Sequence, residues 1–335
     1  MDKVIFFAVA GAGKTTHIIN SLSAEKRSLI ITYTNNNFEN LSKKIADKFC
    51  GKWPYGITLM TFFQFLYRFC YKPFLSDIIN AKGIIYEANP NQYIRQNDLK
   101  YFLSPSRHFY SNRLSFFFEK QNIIDDIKGR IEEYYDEFII DEIQDIAGRD
   151  FEFLDAVLNT NVNMLFVGDF YQHTFDTSRD GNVNKSLFDD KSKYEGRFIH
   201  RGVRVDKTTL LNSWRCGPKI CDFISTNLKI MISSNKSDDP SDIVFVRTNS
   251  EKFDILNNPE IIKLHFKESY KYGFDHKNWG DTKGEDCYHD VCVMLNKETM
   301  KCFNTGNLSN LAPSTRNKLY VAITRAHRNV YLIEE

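Results

Sequence analysis

Along the first half of the chain, apolar positions come in short runs that stop abruptly at polar residues. Residues 4–9, 28–32, 138–140 and 164–167 are such runs. Runs this short, without strict alternation, predict strands buried on both faces, and the amphipathic stretches between them predict crossover helices. Apolar residues recur at helical spacing in residues 15–23, 38–48 and 150–158. The pattern therefore predicts an α/β fold built on parallel sheets. Residues 70–135 depart from it, being rich in Phe, Tyr and Asn, mostly helical in pattern and without a strand–glycine–helix unit. They read as an insertion. Residues 178–207 read as a polar connection with a basic C-terminal half, and a second α/β unit follows, with strands near 242–247, 290–295 and 330–333.

At 335 residues the chain has room for two domains of about 150 residues each. Charged residues make up 26% and hydrophobic residues 42%, which excludes a disordered tail or a collagen-like chain. No apolar run approaches the ~18 residues needed to cross a bilayer, so no membrane partner is expected. The first apolar run lacks a basic segment before it and a small-residue cleavage site after it, and reads as a buried strand rather than a signal peptide. A net charge of +1 offers no global attraction for nucleic acid, so any such site must be local. The cysteines (50, 70, 216, 221, 287, 292 and 302) show neither a CxxC pair nor a metal-ligand spacing with histidine. They read as free thiols in a reducing, cytoplasmic setting.

The first run ends in Ala8-Val9-Ala10-Gly11-Ala12-Gly13-Lys14-Thr15, between a strand and a helix. Glycines there let backbone N–H groups turn toward phosphate oxygens, and the helix N-terminus adds its positive end. Ala10, Gly11, Ala12, Gly13, Lys14, Thr15 and Thr16 are thus candidate nucleotide-binding residues. Lys14 would reach the β- and γ-phosphates, and Thr15 would place its hydroxyl on Mg²⁺. The strict pattern asks for glycine where Ala8 stands. A second run, Phe138-Ile139-Ile140, ends in Asp141-Glu142-Ile143-Gln144-Asp145. Phosphoryl transfer needs a carboxylate on the metal, for which Asp141 is the candidate, and a base for the attacking water, for which Glu142 is the candidate. A third run ends in Gly168-Asp169-Phe170-Tyr171-Gln172, where Gln172 can sense the γ-phosphate.

Taken together, these segments resemble superfamily 1 DNA helicases of the UvrD/Rep type. Their order matches over nearly the whole chain. Thr32-Tyr33-Thr34-Asn35 resembles motif Ia, and Thr61-Phe62-Phe63-Gln64-Phe65 the Thr-Phe-His-Ser-Phe segment. Asp141-Glu142-Ile143-Gln144-Asp145 has the Asp-Glu-x-Gln-Asp form, and residues 168–172 resemble motif III. Leu211-Asn212-Ser213-Trp214-Arg215 resembles motif IV, Thr282-Lys283-Gly284-Glu285 motif V, and residues 320–326 motif VI. In that family alanine often stands where Ala8 does.

The resemblance implies two RecA-like P-loop NTPase domains, here residues 1–205, with the small helical insertion 70–135, and residues 206–335. It implies that ATP binds between the domains with Mg²⁺, that Arg215 and Arg325 reach the γ-phosphate, and that Glu285 contacts the ribose. It also implies ATP-driven 3′→5′ tracking on single-stranded DNA, with Tyr33, Thr34, Asn35, Thr61, Phe62, Phe65 and Phe175 as DNA-binding candidates. Single-strand binders stack bases on aromatic rings and neutralise phosphates, and two local basic excesses, 191–207 and 305–333, suit that task.

The chain departs from the family at four places. The family's glutamine segment ahead of the first strand is expected to be missing; Phe175-Asp176-Thr177 replaces an aromatic–arginine continuation; Phe63-Gln64 replaces His-Ser; and the interval from Arg215 to Lys283 is too short for the family's large inserted subdomain. The motor core is expected to be present and the duplex-handling parts reduced. Compact helicases of this kind resemble those paired with a nuclease subunit in bacterial antiviral (anti-phage) defence, which leaves an ATP- and DNA-sensing regulatory subunit as the alternative. A P-loop kinase or GTPase fits less well, because the arginine motifs lie in a separate second domain.

Overall fold

The computed structural model describes residues 1–91, 93–174 and 182–335. Strands β1 (Lys3–Phe7), β2 (Ser28–Thr32), β3 (Ile57–Thr61), β4 (Gly83–Ile85), β5 (His108–Tyr110), β6 (Glu137–Ile140), β7 (Asn163–Gly168) and β8 (Arg204–Asp206) form the first half. Six of them make one sheet in the order β3-β2-β6-β7-β1-β8. Leu29, Ile30 and Ile31 are buried on both faces, as expected for a parallel strand covered by helices. The register aligns the strand ends: Thr32 faces Thr61, and Ile140 faces both Ile31 and Phe166. The residues after these strands therefore emerge along one carboxyl edge, where open α/β sheets bind ligands.

The chain divides into two compact units. The first comprises Met1–Phe6, Thr15–Gly168 and the run ending at Asp206; the second comprises Phe7–Lys14, the run beginning at Asp169, and Lys207–Glu335. The second unit holds a five-stranded parallel sheet of β11 (Ile243–Phe245), β12 (Ile262–His265), β13 (His276–Asn278), β14 (Val291–Leu295) and β15 (Val330–Glu334) in the order β11-β15-β14-β12-β13. A short parallel pair, β9 (Asn212–Ser213) with β10 (Ser233–Ser234), precedes it. Every residue of β14 is buried. No helix among the described residues is long and apolar enough to cross a membrane, and all seven cysteines are free.

Residues 70–135 contain the helices Lys72–Ile79, Leu114–Lys120 and Ile124–Tyr134, and also the parallel pair β4–β5. The Phe and Tyr content of this stretch supplies an aromatic core, in which Tyr71 packs edge-on to Phe109 at 4.9 Å and Phe109 lies 5.1 Å from Phe117. The connection 178–207 is more structured than its polarity suggests. Its described part holds the helix Lys191–His200 and β8, which pairs parallel with β1. Tyr194 and Phe198, four residues apart, are fully buried beneath the charges.

One buried charge in the first unit has a measurable consequence. Asp150, on the helix Gly148–Val157, is fully buried and accepts a 2.6 Å hydrogen bond from Ser115 Oγ. Its other oxygen has no hydrogen-bond partner among the described residues. Burial pushes its carboxyl up to about 7 from an ordinary 3.8, and the Ser115 bond opposes this only in part. The unfolded chain loses that proton near its ordinary value and the folded chain keeps it to about 7, so stability falls as pH rises through that window and levels off above it. The unfolding midpoint is expected to drop between pH 5 and pH 8 in the native chain, and to drop less in Asp150→Asn. Equal drops in both would show that Asp150 ionises normally.

Candidate functional site

The phosphate loop leaves β1 and enters the helix Lys14–Ser21, with Lys14 as its first residue. Gly11 and Gly13 adopt left-handed backbone (φ 72° and 84°), which a side chain would strain. Gly11 has a second constraint: a Cβ there would sit 2.7 Å from both Arg215 Cβ and Ser213 Oγ. The loop is pinned at neighbouring points, as Trp214 N–H donates to the Gly11 carbonyl at 2.9 Å and Val9 N–H to the Leu210 carbonyl at 2.9 Å. The segment carrying Arg215 thus lies directly against the loop.

Two loop amides are already engaged. Ala10 N–H donates to Tyr320 Oη at 2.8 Å, and Ala12 N–H donates to the Val9 carbonyl at 3.2 Å. Neither is a spare phosphate donor in this conformation, contrary to what the loop pattern alone suggests. Tyr320 Oη in turn donates to Asp169 Oδ2 at 2.9 Å, and burial beside that carboxylate pushes the phenol well above its ordinary range. Fully buried Tyr320 therefore ties the loop to the segment after β7. Sequence reasoning assigned it no role, although it opens the motif VI segment. Gln172, on the one-turn helix Phe170–Gln172, is buried. Phe175 lies outside the described residues.

Asp141 follows β6 and is buried, its N–H donating to the Ile31 carbonyl at 2.9 Å. Glu142 is left-handed (φ 56°, ψ 47°), a conformation that costs a non-glycine residue about 1–2 kcal/mol. Its Oε2 accepts from Gln144 Nε2 at 2.6 Å. Such local strain is found where a side chain is aimed for use. A hydroxyl at Thr15 and a carboxylate at Asp141 are hard oxygen ligands suited to Mg²⁺. The left-handed Gly11–Gly13 turn at a helix start suits a phosphate.

Tyr33, Thr34, Asn35 and Thr61 emerge at the carboxyl edge of the first sheet. Thr34 and Thr61 cap helices, accepting from Asn37 N–H and Gln64 N–H. Half-buried Tyr33 stacks on Phe62 at 6.2 Å and meets Phe63 edge-on at 5.7 Å. Phe62 and Phe65 are corrected to core residues. They are 3% and 2% exposed, and Phe65 packs against Phe69 and Phe138, so neither ring offers a face to a base. The basic tract from Lys191 is also partly neutralised within the fold, with Arg197 and Arg201 both on Asp155.

In the second unit, Arg325 is 2% exposed. Its Nε donates to the Val321 carbonyl at 3.2 Å, and its Nη1 donates to the carbonyls of Thr282 at 3.2 Å and Glu285 at 2.9 Å. Motif VI is thereby joined to motif V. The Glu285 carboxylate accepts from Lys277 Nζ and Tyr288 Oη, each at 2.5 Å. Arg215 donates to Asp286 and to the Thr324 carbonyl. The segments that resemble motifs IV, V and VI therefore meet within this unit, together with the phosphate loop.

The family model of the AAA domain matches residues 2–176, just over half of the chain. The chain belongs to the AAA domain family. No curated protein matches it. Among solved structures, two of Arterivirus nonstructural protein 10 (helicase), one of them in complex with DNA, are 13% identical to it with TM-scores of 0.50. They match 98% of this chain and 60% and 59% of their own. The PRRSV helicase is 14% identical, with a TM-score of 0.49, over 98% of this chain and 52% of its own. The fold is thus similar to that of the two Arterivirus nonstructural protein 10 structures, and the chain spans about three-fifths of those chains.

Proposed function

We propose that this chain is a nucleic-acid-stimulated NTP hydrolase of the superfamily 1 helicase type, built on two RecA-like domains. In this reading it hydrolyses ATP and tracks 3′→5′ on single-stranded DNA. The observation that carries the proposal is the pinned phosphate loop, whose left-handed Gly11 lies against the Ser213–Arg215 segment. Lys14 binds the β- and γ-phosphates, Glu142 takes the proton of the attacking water, and Gln172 orients around the γ-phosphate. Arg215 and Arg325 stabilise charge on the transferring phosphoryl group. Thr15 and Asp141 would hold Mg²⁺, which supplies neutralisation of the phosphate charge. Tyr33, Thr34, Asn35 and Thr61 contact the strand.

The test is phosphate release by the full chain with and without single-stranded DNA or RNA. Hydrolysis is expected to be stimulated by DNA, and the stimulation to fall steeply with salt, because phosphate contacts release counterions. Tracking 3′→5′ predicts displacement of streptavidin from a 5′-biotinylated strand and not from a 3′-biotinylated one. Absence of stimulation by either nucleic acid would overturn the reading; stimulation by RNA alone would replace the substrate.

A further inference from the structure

Arg215 is gripped from behind. Its Nε donates to Asp286 Oδ1 at 2.6 Å, and its Nη1 donates to the Thr324 carbonyl at 3.1 Å. The same Asp286 oxygen lies 2.7 Å from His327 Nε2. The backbone is held as well, with Arg215 N–H and Cys216 N–H both donating to Ser213 Oγ. Bonds from two different nitrogens fix the plane of a guanidinium. Nη2 remains, with no hydrogen-bond partner among the described residues. The Arg215 side chain is 12% exposed and its Cβ lies against the position of Gly11. The whole arrangement lies within the second unit.

We infer that Asp286 is a positioning residue for Arg215, holding its guanidinium so that Nη2 faces an anion in the phosphate loop. Asp286 does not touch the nucleotide in this role; it acts through Arg215. The carboxylate suits the task because it stays ionised. Burial pushes its pKa up, but Arg215 and His327 outweigh burial and hold it below the usual carboxylate range. An arginine on a long flexible stem that must find the phosphate unaided loses conformational freedom in every turnover. One clamped beforehand does not, and that difference is felt in the chemical step. His327 completes the clamp from the motif VI side, so one carboxylate links three segments that are far apart in sequence. Asp286 is 71 residues from Arg215 and 41 from His327.

The inference rests on the proposed role of Arg215, and a double-mutant cycle on the full chain tests the two separately. Asp286→Ala is expected to lower kcat for nucleic-acid-stimulated ATP hydrolysis by about 10-fold or more while changing KM by less than about 3-fold. Asp286→Glu is expected to recover most of the loss, which a merely structural role for the loop does not predict. Arg215→Ala and the Arg215→Ala/Asp286→Ala double variant are expected to hydrolyse at the same rate within about 2-fold, because Asp286 has nothing left to position. If Asp286→Ala costs the same factor with and without Arg215, Asp286 acts elsewhere and the inference is overturned. If Arg215→Ala alone hydrolyses at the native rate, the role proposed for Arg215 fails and the positioning role falls with it. Thermal unfolding of each variant supplies the control; the 60% exposed Asp286 side chain predicts little change in the midpoint. If Asp286→Ala does not fold, Asp286→Asn, of nearly the same shape, takes its place in the cycle with the same expected outcomes.

Discussion

Lys14→Ala is expected to lower ATP hydrolysis by about 10²-fold or more and leave the chain folded. Lys14 opens the helix Lys14–Ser21 at a partly exposed position, and the apolar residues that anchor this helix are Ile18 and Ile19. Truncating Lys14 therefore leaves the core intact. What is lost is a positive charge on the phosphates that are being separated, and removing one such electrostatic contact typically costs about 10²–10³ in rate. Glu142→Gln should lose a comparable or larger factor for a different reason. The amide keeps the shape, but it cannot accept the proton of the attacking water, a contribution of about 10²–10⁴. The two variants separate on binding. A fluorescent nucleotide should bind Glu142→Gln as tightly as the native chain, and Lys14→Ala much more weakly. Hydrolysis by Lys14→Ala at the native rate would remove the phosphate loop from the mechanism.

The parts of this site legible in the sequence are those whose chemistry is contiguous. β1, the glycines and Lys14 follow one another, and the apolar run of β6 leads directly into Asp141, so strand, turn and ligand type can be read in one window. Parts whose logic depends on distant partners were not legible. β12 contains Lys263, which breaks its apolar pattern; in the fold its fully buried Nζ meets Asp275 at 2.6 Å. β8 and the helix before it were hidden because surface charges outnumber the two buried rings, Tyr194 and Phe198. Motif position suggested Phe62 and Phe65 as stacking residues, but exposure is decided by neighbours such as Phe138 and Phe153, which periodicity does not reveal. Tyr320 and Asp286 carry no local signal of their roles, since Tyr320 acts on Ala10 and Asp286 on Arg215.

Arg325 poses the sharpest conflict between a structural and a catalytic role, and the two make different predictions. As a structural residue it donates to the carbonyls of Thr282, which also accepts from Glu285 N–H at 3.1 Å, and of Glu285. Arg325→Ala leaves the Glu285 carbonyl without its donor, at about 1–3 kcal/mol. The unfolding midpoint is therefore expected to fall by roughly 2–12 °C, given about 2–4 °C per kcal/mol for a domain of this size. Lost activity in this variant cannot by itself separate the two roles. Arg325→Lys can. An ammonium retains the charge and reaches one carbonyl, but it lacks the planar fork that serves several acceptors at once. It should recover part of the lost stability. If the guanidinium also stabilises the transferring phosphoryl group, hydrolysis should stay at least about 10²-fold down in Arg325→Lys at a temperature where the chain is fully folded. Recovery of stability and hydrolysis together would make Arg325 a buried clamp between motifs V and VI, leaving Arg215 as the arginine that acts on phosphate.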